Sequence, residues 1–333
     1  MDVLVCAGCG AELSVPVERV ALPPEAHASW GHGPLPPLME PGTYAVDPAP
    51  APAPWRTWED LGESAAAAAG VYAPVYPVPC GTRNRMVLAP GDMRGTRLVP
   101  ERCESHCLGI TAGAEPNLVC LGCGLGVGSR EDDCGLWQTV WYEPGAVVRR
   151  PLTVSAPAPP PPDRTPPLPT DDWDLRLAAA AGAALAGLLA ASGGEALALP
   201  DGPVTELFGR ELARLLPAGP PARRVGLAGP GLPGDGADLV LVPADRRTGA
   251  PWPPADDVVA VALPYGVWAH LALPETSPMP PSGRPPAGVL RDDYPLPDHA
   301  YGGFGPDHRT LRRTLARMPE VRRPWLRALY DRL

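Results

Sequence analysis

Two near copies of one phrase lie 114 residues apart: Val5-Cys6-Ala7-Gly8-Cys9-Gly10 and Val119-Cys120-Leu121-Gly122-Cys123-Gly124. Thiolates are soft, strongly donating metal ligands, and two of them spaced CxxC can grip one ion from a single tight turn. The glycines permit backbone angles that other residues resist. Taken together, Cys6, Cys9, Cys120 and Cys123 supply the four sulfurs of a tetrahedral, all-thiolate site. Such a site ties residue 6 to residue 123 and staples the first half of the chain with metal. The competing chemistry is that each pair binds its own metal or closes as a disulfide.

Each phrase resembles a zinc knuckle of the zinc-ribbon type. The resemblance covers about 20 residues of 333 and implies zinc, but no particular activity. Four cysteines remain: Cys80, Cys103, Cys107 and Cys134, with His106 between the middle two. Cys103 and Cys107 are four apart, which would place them on one side of a helical turn. With Cys134 and Cys80 they would complete a second four-thiolate site, so one zinc is expected and two are possible. His106, His27 or His32 could stand in for Cys80. A different grouping is also open: Cys103, Cys107, Cys120 and Cys123 have compact ribbon spacing, leaving Cys6 and Cys9 to Cys80 and Cys134. The bland reading of the second set is buried thiols behaving as small hydrophobes.

A closed four-sulfur set leaves no open position for substrate, whereas catalytic zinc keeps one and favours His or carboxylate ligands. Neither the deaminase pattern, His-x-Glu with Pro-Cys-x-x-Cys, nor the HExxH of metallopeptidases occurs. No GxSxG elbow presents a serine. All 28 basic residues are arginine, which removes Schiff-base, pyridoxal-anchoring and Walker-type lysines. Weaker candidates sit in the second half. Gly229 to Gly236 is a Gly-rich loop after an expected strand, with Asp235 and Asp238 near it. His270, Asp298-His299 and Asp307-His308 are possible acid–base groups. None carries a catalytic assignment.

The elements that must hold these residues divide the chain in three. Residues 1–150 contain all eight cysteines and read as a zinc-binding, mainly β module. Residues 151–170 contain nine prolines and read as an extended polyproline-type linker. Residues 171–333 read as a small α/β domain ending in arginine-rich helices. In the first module, strands are expected at Asp2–Val5, Leu13–Val17 and Val71–Val78, and a helix from Trp58 to Ala69. Met86–Ala89 and Thr96–Val99 look like a hairpin around Pro90-Gly91-Asp92. Leu136–Tyr142 should be a strand or helix. In the second, helices are expected up to Ala191 and over Thr205–Leu216 with Thr205 as cap. Strands follow at Arg224–Ala228, Asp238–Val242 and Asp257–Leu263. Helices should then form at Pro264–Leu273, Asp307–Met318 and Arg323–Leu333. The expected class is therefore α+β or α/β in two domains.

Composition sets the remaining bounds. Fifty prolines and 37 glycines make just over a quarter of the chain, yet 45% is apolar with nine tryptophans, which fits a loop-rich folded protein better than a disordered one. The net charge is −9, and residues 1–150 hold 17 acids against 10 arginines. A zinc held by four thiolates adds about two more negative charges there. That argues against nucleic acid as partner, which needs a clustered positive surface. The tail from Arg309 to Arg332 has eight arginines against Glu320 and Asp331, and is the one basic stretch where nucleic acid remains a third reading. Leu177–Gly194 is uncharged but alanine-rich, so a buried helix is expected rather than a membrane span. With no secretory signal evident and paired thiols, the expected compartment is the reducing cytoplasm. By elimination the expected role is non-enzymatic: a zinc-binding adaptor with a protein partner. The alternative is an enzyme or ligand-binding protein using the second half.

Overall fold

A computed structural model describes residues 1–30, 35–50, 55–76, 78–104, 107, 109–113, 115–152, 173–234, 236–254, 258–276 and 305–333. The chain contains both helix and sheet, and divides into two compact units, Met1–Pro160 and Pro161–Leu333. Most of the proline-rich segment, residues 153–172, lies outside the described residues, as do Asp235, Asp298 and His299.

The first unit is built on strands β1 (Asp2–Cys6), β2 (Glu18–Arg19), β3 (Thr43–Asp47), β4 (Trp55–Arg56), β5 (Val78–Pro79), β6 (Arg85–Leu88), β7 (Thr96–Leu98), β8 (Leu118–Cys120), β9 (Gly126–Glu131), β10 (Thr139–Tyr142) and β11 (Val147–Pro151). Seven of them form one sheet in the order β2-β3-β6-β10-β9-β8-β7, and β1 pairs antiparallel with β11. Alternation along the strands sends Tyr44, Met86, Leu88, Val127, Val140 and Tyr142 into one core, joined by Leu4, Leu13 and Val17. Cys6 and Cys120 are part of that core.

Three expectations fail here. β6 and β7 form as strands but are not a hairpin, since β10, β9 and β8 lie between them. Pro90–Asp92 is a 3-10 turn, and Asp92 accepts the Gly42 N–H at 2.7 Å, so the turn is tied elsewhere. Leu13–Val17 makes only isolated bridges. Pro16 has no N–H to give, and the Ser14 hydroxyl takes the Leu4 N–H at 3.0 Å in place of a ladder carbonyl. Among the described residues of Val71–Val78 only the last is strand, in β5. Helix α1 (Trp58–Ala68) forms as expected but breaks at Gly62, whose φ of 71° is left-handed.

The second unit holds a four-stranded parallel sheet, β12 (Leu197–Ala198), β13 (Arg223–Leu227), β14 (Leu239–Pro243) and β15 (Val259–Leu263), in chain order. Its helices are α2 (Trp173–Ser192), α3 (Pro203–Leu215), α4 (Tyr265–Ala272), α5 (His308–Ala316) and α6 (Pro324–Tyr330). β12 was not anticipated; two residues carry no periodicity. α3 begins at Pro203 behind Gly202, and Thr205 is not its cap but donates to the Pro200 carbonyl at 2.8 Å. Asp307 caps α5 by accepting the Thr310 N–H at 2.6 Å. α2 is long and apolar enough to cross a membrane by length and composition alone, and 67% of that stretch is buried within the unit. It packs on α5 and β15. Gly182 and Gly187 make this possible: a Cβ on the first would stand 2.4 Å from the Asp307 carbonyl oxygen, and on the second 2.8 Å from Val261.

Candidate metal centre

Each CxxC begins where a strand ends, at Cys6 of β1 and Cys120 of β8. The chain then reverses through the same bonds twice. Gly10 N–H donates to the Cys6 carbonyl and Cys6 N–H to the Ala11 carbonyl, both at 2.8 Å. Gly124 N–H donates to the Cys120 carbonyl at 2.9 Å and Cys120 N–H to the Leu125 carbonyl at 2.8 Å. Gly10 and Gly124 share a φ of 75°, the left-handed angle that closes each turn. Gly122 is needed for space instead: a Cβ there would come 3.1 Å from the Cys9 sulfur, whereas one on Gly8 would meet the Cys123 sulfur at 3.4 Å, an ordinary contact.

The turns face each other so that the first cysteine of one meets the second of the other. Cys6 Sγ is 3.6 Å from Cys123 Sγ, and Cys9 Sγ is 3.6 Å from Cys120 Sγ. All four sulfurs lie within 4.8 Å of one another. A tetrahedron of sulfurs around an ion at about 2.3 Å, the zinc–thiolate bond length, has edges of about 3.8 Å. The donor set therefore fits one tetrahedral, thiophilic metal ion, with no fifth ligand among the described residues.

The electrostatics say the same. Burial opposes ionisation of Cys120, but N–H groups of Cys123 and Gly122 and the thiols of Cys9 and Cys6 outweigh it and bring Cys120 down to about 7. Burial pushes the Cys6 thiol up, against N–H groups of Gly8 and Cys9. The Ala11 N–H favours a Cys9 thiolate, yet the sulfurs of Cys120 and Cys123 prevail and push it up to about 12. One thiolate is solvated by its neighbours; further negative charges in the same 4.8 Å cluster are not. A divalent cation removes that conflict by replacing the protons.

No protein-family model, no curated protein and no solved structure matches the chain. The site stands on its geometry.

The second cysteine set is not assembled among the described residues. Cys80 Sγ turns to the Val78 carbonyl and Cys103 Sγ to the Val99 carbonyl, each at 3.7 Å. Cys103 is extended, with φ −90° and ψ 132°, and bridges Ala112, so it shares no helical turn with Cys107. Cys107 and Cys134 converge through their backbones: both N–H groups donate to the buried carboxylate of Asp133, at 3.3 and 2.7 Å. The alternative grouping of Cys103 and Cys107 with Cys120 and Cys123 does not occur. His32 and His106 lie outside the described residues.

His27 is engaged elsewhere. Its Nε2 meets Asp47 Oδ2 at 2.6 Å, and its ring stacks on Trp141 at 5.6 Å. Arg85 lies over the same indole at 5.3 Å and pairs with Glu143. Burial pushes the nearby Glu131 carboxyl up, against the pull of Arg85, Thr139 and Trp141. This polar layer lies on the sheet face opposite the core. The strand alternation of Asp47, Arg85, Thr139 and Trp141 was the sequence signal for it.

In the second unit, Gly229 is explained by packing: a Cβ would stand 2.4 Å from the Trp268 ring. Its N–H and that of Leu232 bond each other's carbonyls at 2.9 Å, and Pro230 and Pro233 have none to offer. Those amides are not free to cradle a phosphate. His270 is buried on α4, 6% exposed.

Proposed function

We propose that this is a zinc-binding protein whose single four-thiolate centre is structural, and that it acts in the cytoplasm as a non-enzymatic binding or adaptor protein. The closed sulfur set carries this reading. Four thiolates at tetrahedral-edge spacing satisfy zinc completely and leave no position for substrate or activated water. The centre instead joins strand ends: β1, held by β11, to β8, held by β7 and β9. Its role is to fix the surface that the first unit presents to a partner. Eight cysteines without a disulfide suit a reducing compartment.

The test is metal content with native mass on the purified chain and its variants. One zinc per wild-type chain is expected. Cys6→Ser or Cys120→Ser should abolish tight retention, while Cys80→Ser and Cys107→Ser should keep the full complement. Metal-free wild-type protein from preparation without chelator would refute the assignment. Loss of zinc from Cys80→Ser would move the site.

A further inference from the structure

Where the chain enters α1 it forms a cleft of about 360 Å³, lined by Trp55, Arg56, Thr57, Asp60 and Tyr76. All five lie in the first unit, and none belongs to the four-cysteine cluster. The lining is held by its backbone. Trp55 and Arg56 form β4, which pairs antiparallel with Pro79 and Val78 of β5, and those two are buried. Asp60 stands in the first turn of α1, where its N–H donates to the Thr57 hydroxyl at 3.0 Å. The volume falls within the ~300–1,000 Å³ of small-molecule sites, which combine apolar walls with a few placed polar groups.

The chemistry of the lining narrows what could fill it. Trp55 is 53% and Tyr76 84% exposed, so the faces of an indole and a phenol ring are left to be covered. Arg56 and Asp60 bring one charge of each sign. Among the described residues neither pairs with the other or with any other charged group, so two unlike charges share one cleft without joining. A lone cation would be repelled by Arg56, and a lone anion by Asp60. A dipolar ion meets a complementary charge at both ends.

The cationic end can be specified further. A primary ammonium needs acceptors for three N–H donors. Here the Asp60 carboxylate is the one anionic acceptor in the lining, and the Thr57 hydroxyl already takes an N–H. A fully methylated ammonium has no donor to satisfy, and the faces of Trp and Tyr attract it through their quadrupoles. The anionic end suits Arg56, since a planar guanidinium donates two parallel hydrogen bonds to a carboxylate. We propose that this cleft binds a small zwitterion of the betaine class, with its methylated ammonium against Trp55 and Tyr76 beside Asp60 and its carboxylate on Arg56.

The test is saturation-transfer NMR on the N-methyl protons of glycine betaine, titrated onto the full chain, with tetramethylammonium as the ligand that lacks the carboxylate. The wild-type chain should bind glycine betaine about tenfold more tightly than tetramethylammonium. Arg56→Gln should erase that preference while tetramethylammonium binds as well as before or better, because a repelling charge is gone. Loss of one ligand with retention of the other is a result that misfolding does not give. Trp55→Ala should weaken both ligands by about tenfold or more, as truncated aromatic anchors do. Asp60→Asn should also weaken both. Equal binding of the two ligands by the wild-type chain, or a preference that survives Arg56→Gln, would overturn the zwitterion. Displacement of glycine betaine by an equal concentration of glycine would overturn the methylated ammonium. No transfer to glycine betaine, or undiminished transfer in Trp55→Ala, would overturn the site.

Discussion

The four sulfurs would not bring equal numbers of protons to the proposed metal. Cys6 and Cys9 both hold theirs well above neutral pH, while Cys120 ionises at about 7. Each must arrive as thiolate, so metal uptake expels protons and affinity falls with acidification. Cys6 and Cys9 release one proton each across the neutral range. Cys120 releases one below about 7 and progressively less above it. The proton yield per ion, measured with a weak buffer and a pH indicator, should therefore drop by about one as pH rises through 7. A constant yield across that range would contradict the inequality of the sulfurs. The same shifts act on the metal-free fold in opposite directions. The raised pKa of Cys9 contributes stability below its ordinary 9.0, lost on titration through about 12. The lowered pKa of Cys120 contributes above 9.0 and is lost as pH falls through about 7.

At the scale of elements, what could be read in advance was what depends on neighbours in the chain. Both knuckles, the strand before the first, and α2, α4, α5 and α6 follow from CxxCG spacing and apolar periodicity. What could not be read depends on partners distant in the chain. β6 and β7 show strand composition, but nothing between Leu88 and Thr96 says that three other strands will separate them. The second cysteine set had suitable residues and no indication that Cys103 and Cys80 would spend their thiols on local carbonyls. Gly182 sits in a run of alanines and looks incidental, yet it lets the start of α5 touch α2, with the Asp307 N–H bonded to the Ala178 carbonyl at 2.8 Å. Gly182→Ala should therefore destabilise the second unit by ~1–3 kcal/mol through overpacking, despite the better helix propensity of alanine. Gly219→Ala, with nothing within 4 Å, should be neutral within ~0.5 kcal/mol. Urea denaturation of the two variants, compared with wild type, measures both.

For the whole molecule, the four-cysteine cluster, the proposed metal centre, is confined to the first of two units. It supplements a core that includes Leu4, Tyr44, Val127 and Tyr142, so chelation should loosen this unit without dissolving it. Two long-range bonds also tie the first knuckle's surroundings to the sheet: Tyr142 donates to the Leu13 carbonyl at 2.7 Å, and Tyr44 to Asp2. Hydrogen exchange after chelation should rise first in residues 2–15 and 118–127. Residues 177–191 and 239–243 should keep their protection. Equal deprotection of α2 would show that the metal supports the entire chain.

The pairing of β1 with β11, and of Cys6 with Cys123, also sets a timetable. During synthesis β1 can bridge residues 11–17 at once, but its ladder partner β11 is made only at Val147–Pro151. At the usual ~5–20 residues per second, the 117 residues from Cys6 to Cys123 take roughly 6–23 s. Throughout that interval β1 lacks β11, and Cys6 and Cys9 are thiols without the second pair, open to capture by an oxidant or a stray metal. The first knuckle is made long before Cys120 and Cys123 can complete its cluster, and variants that slow translation between the two knuckles should lower the yield of protein that retains metal.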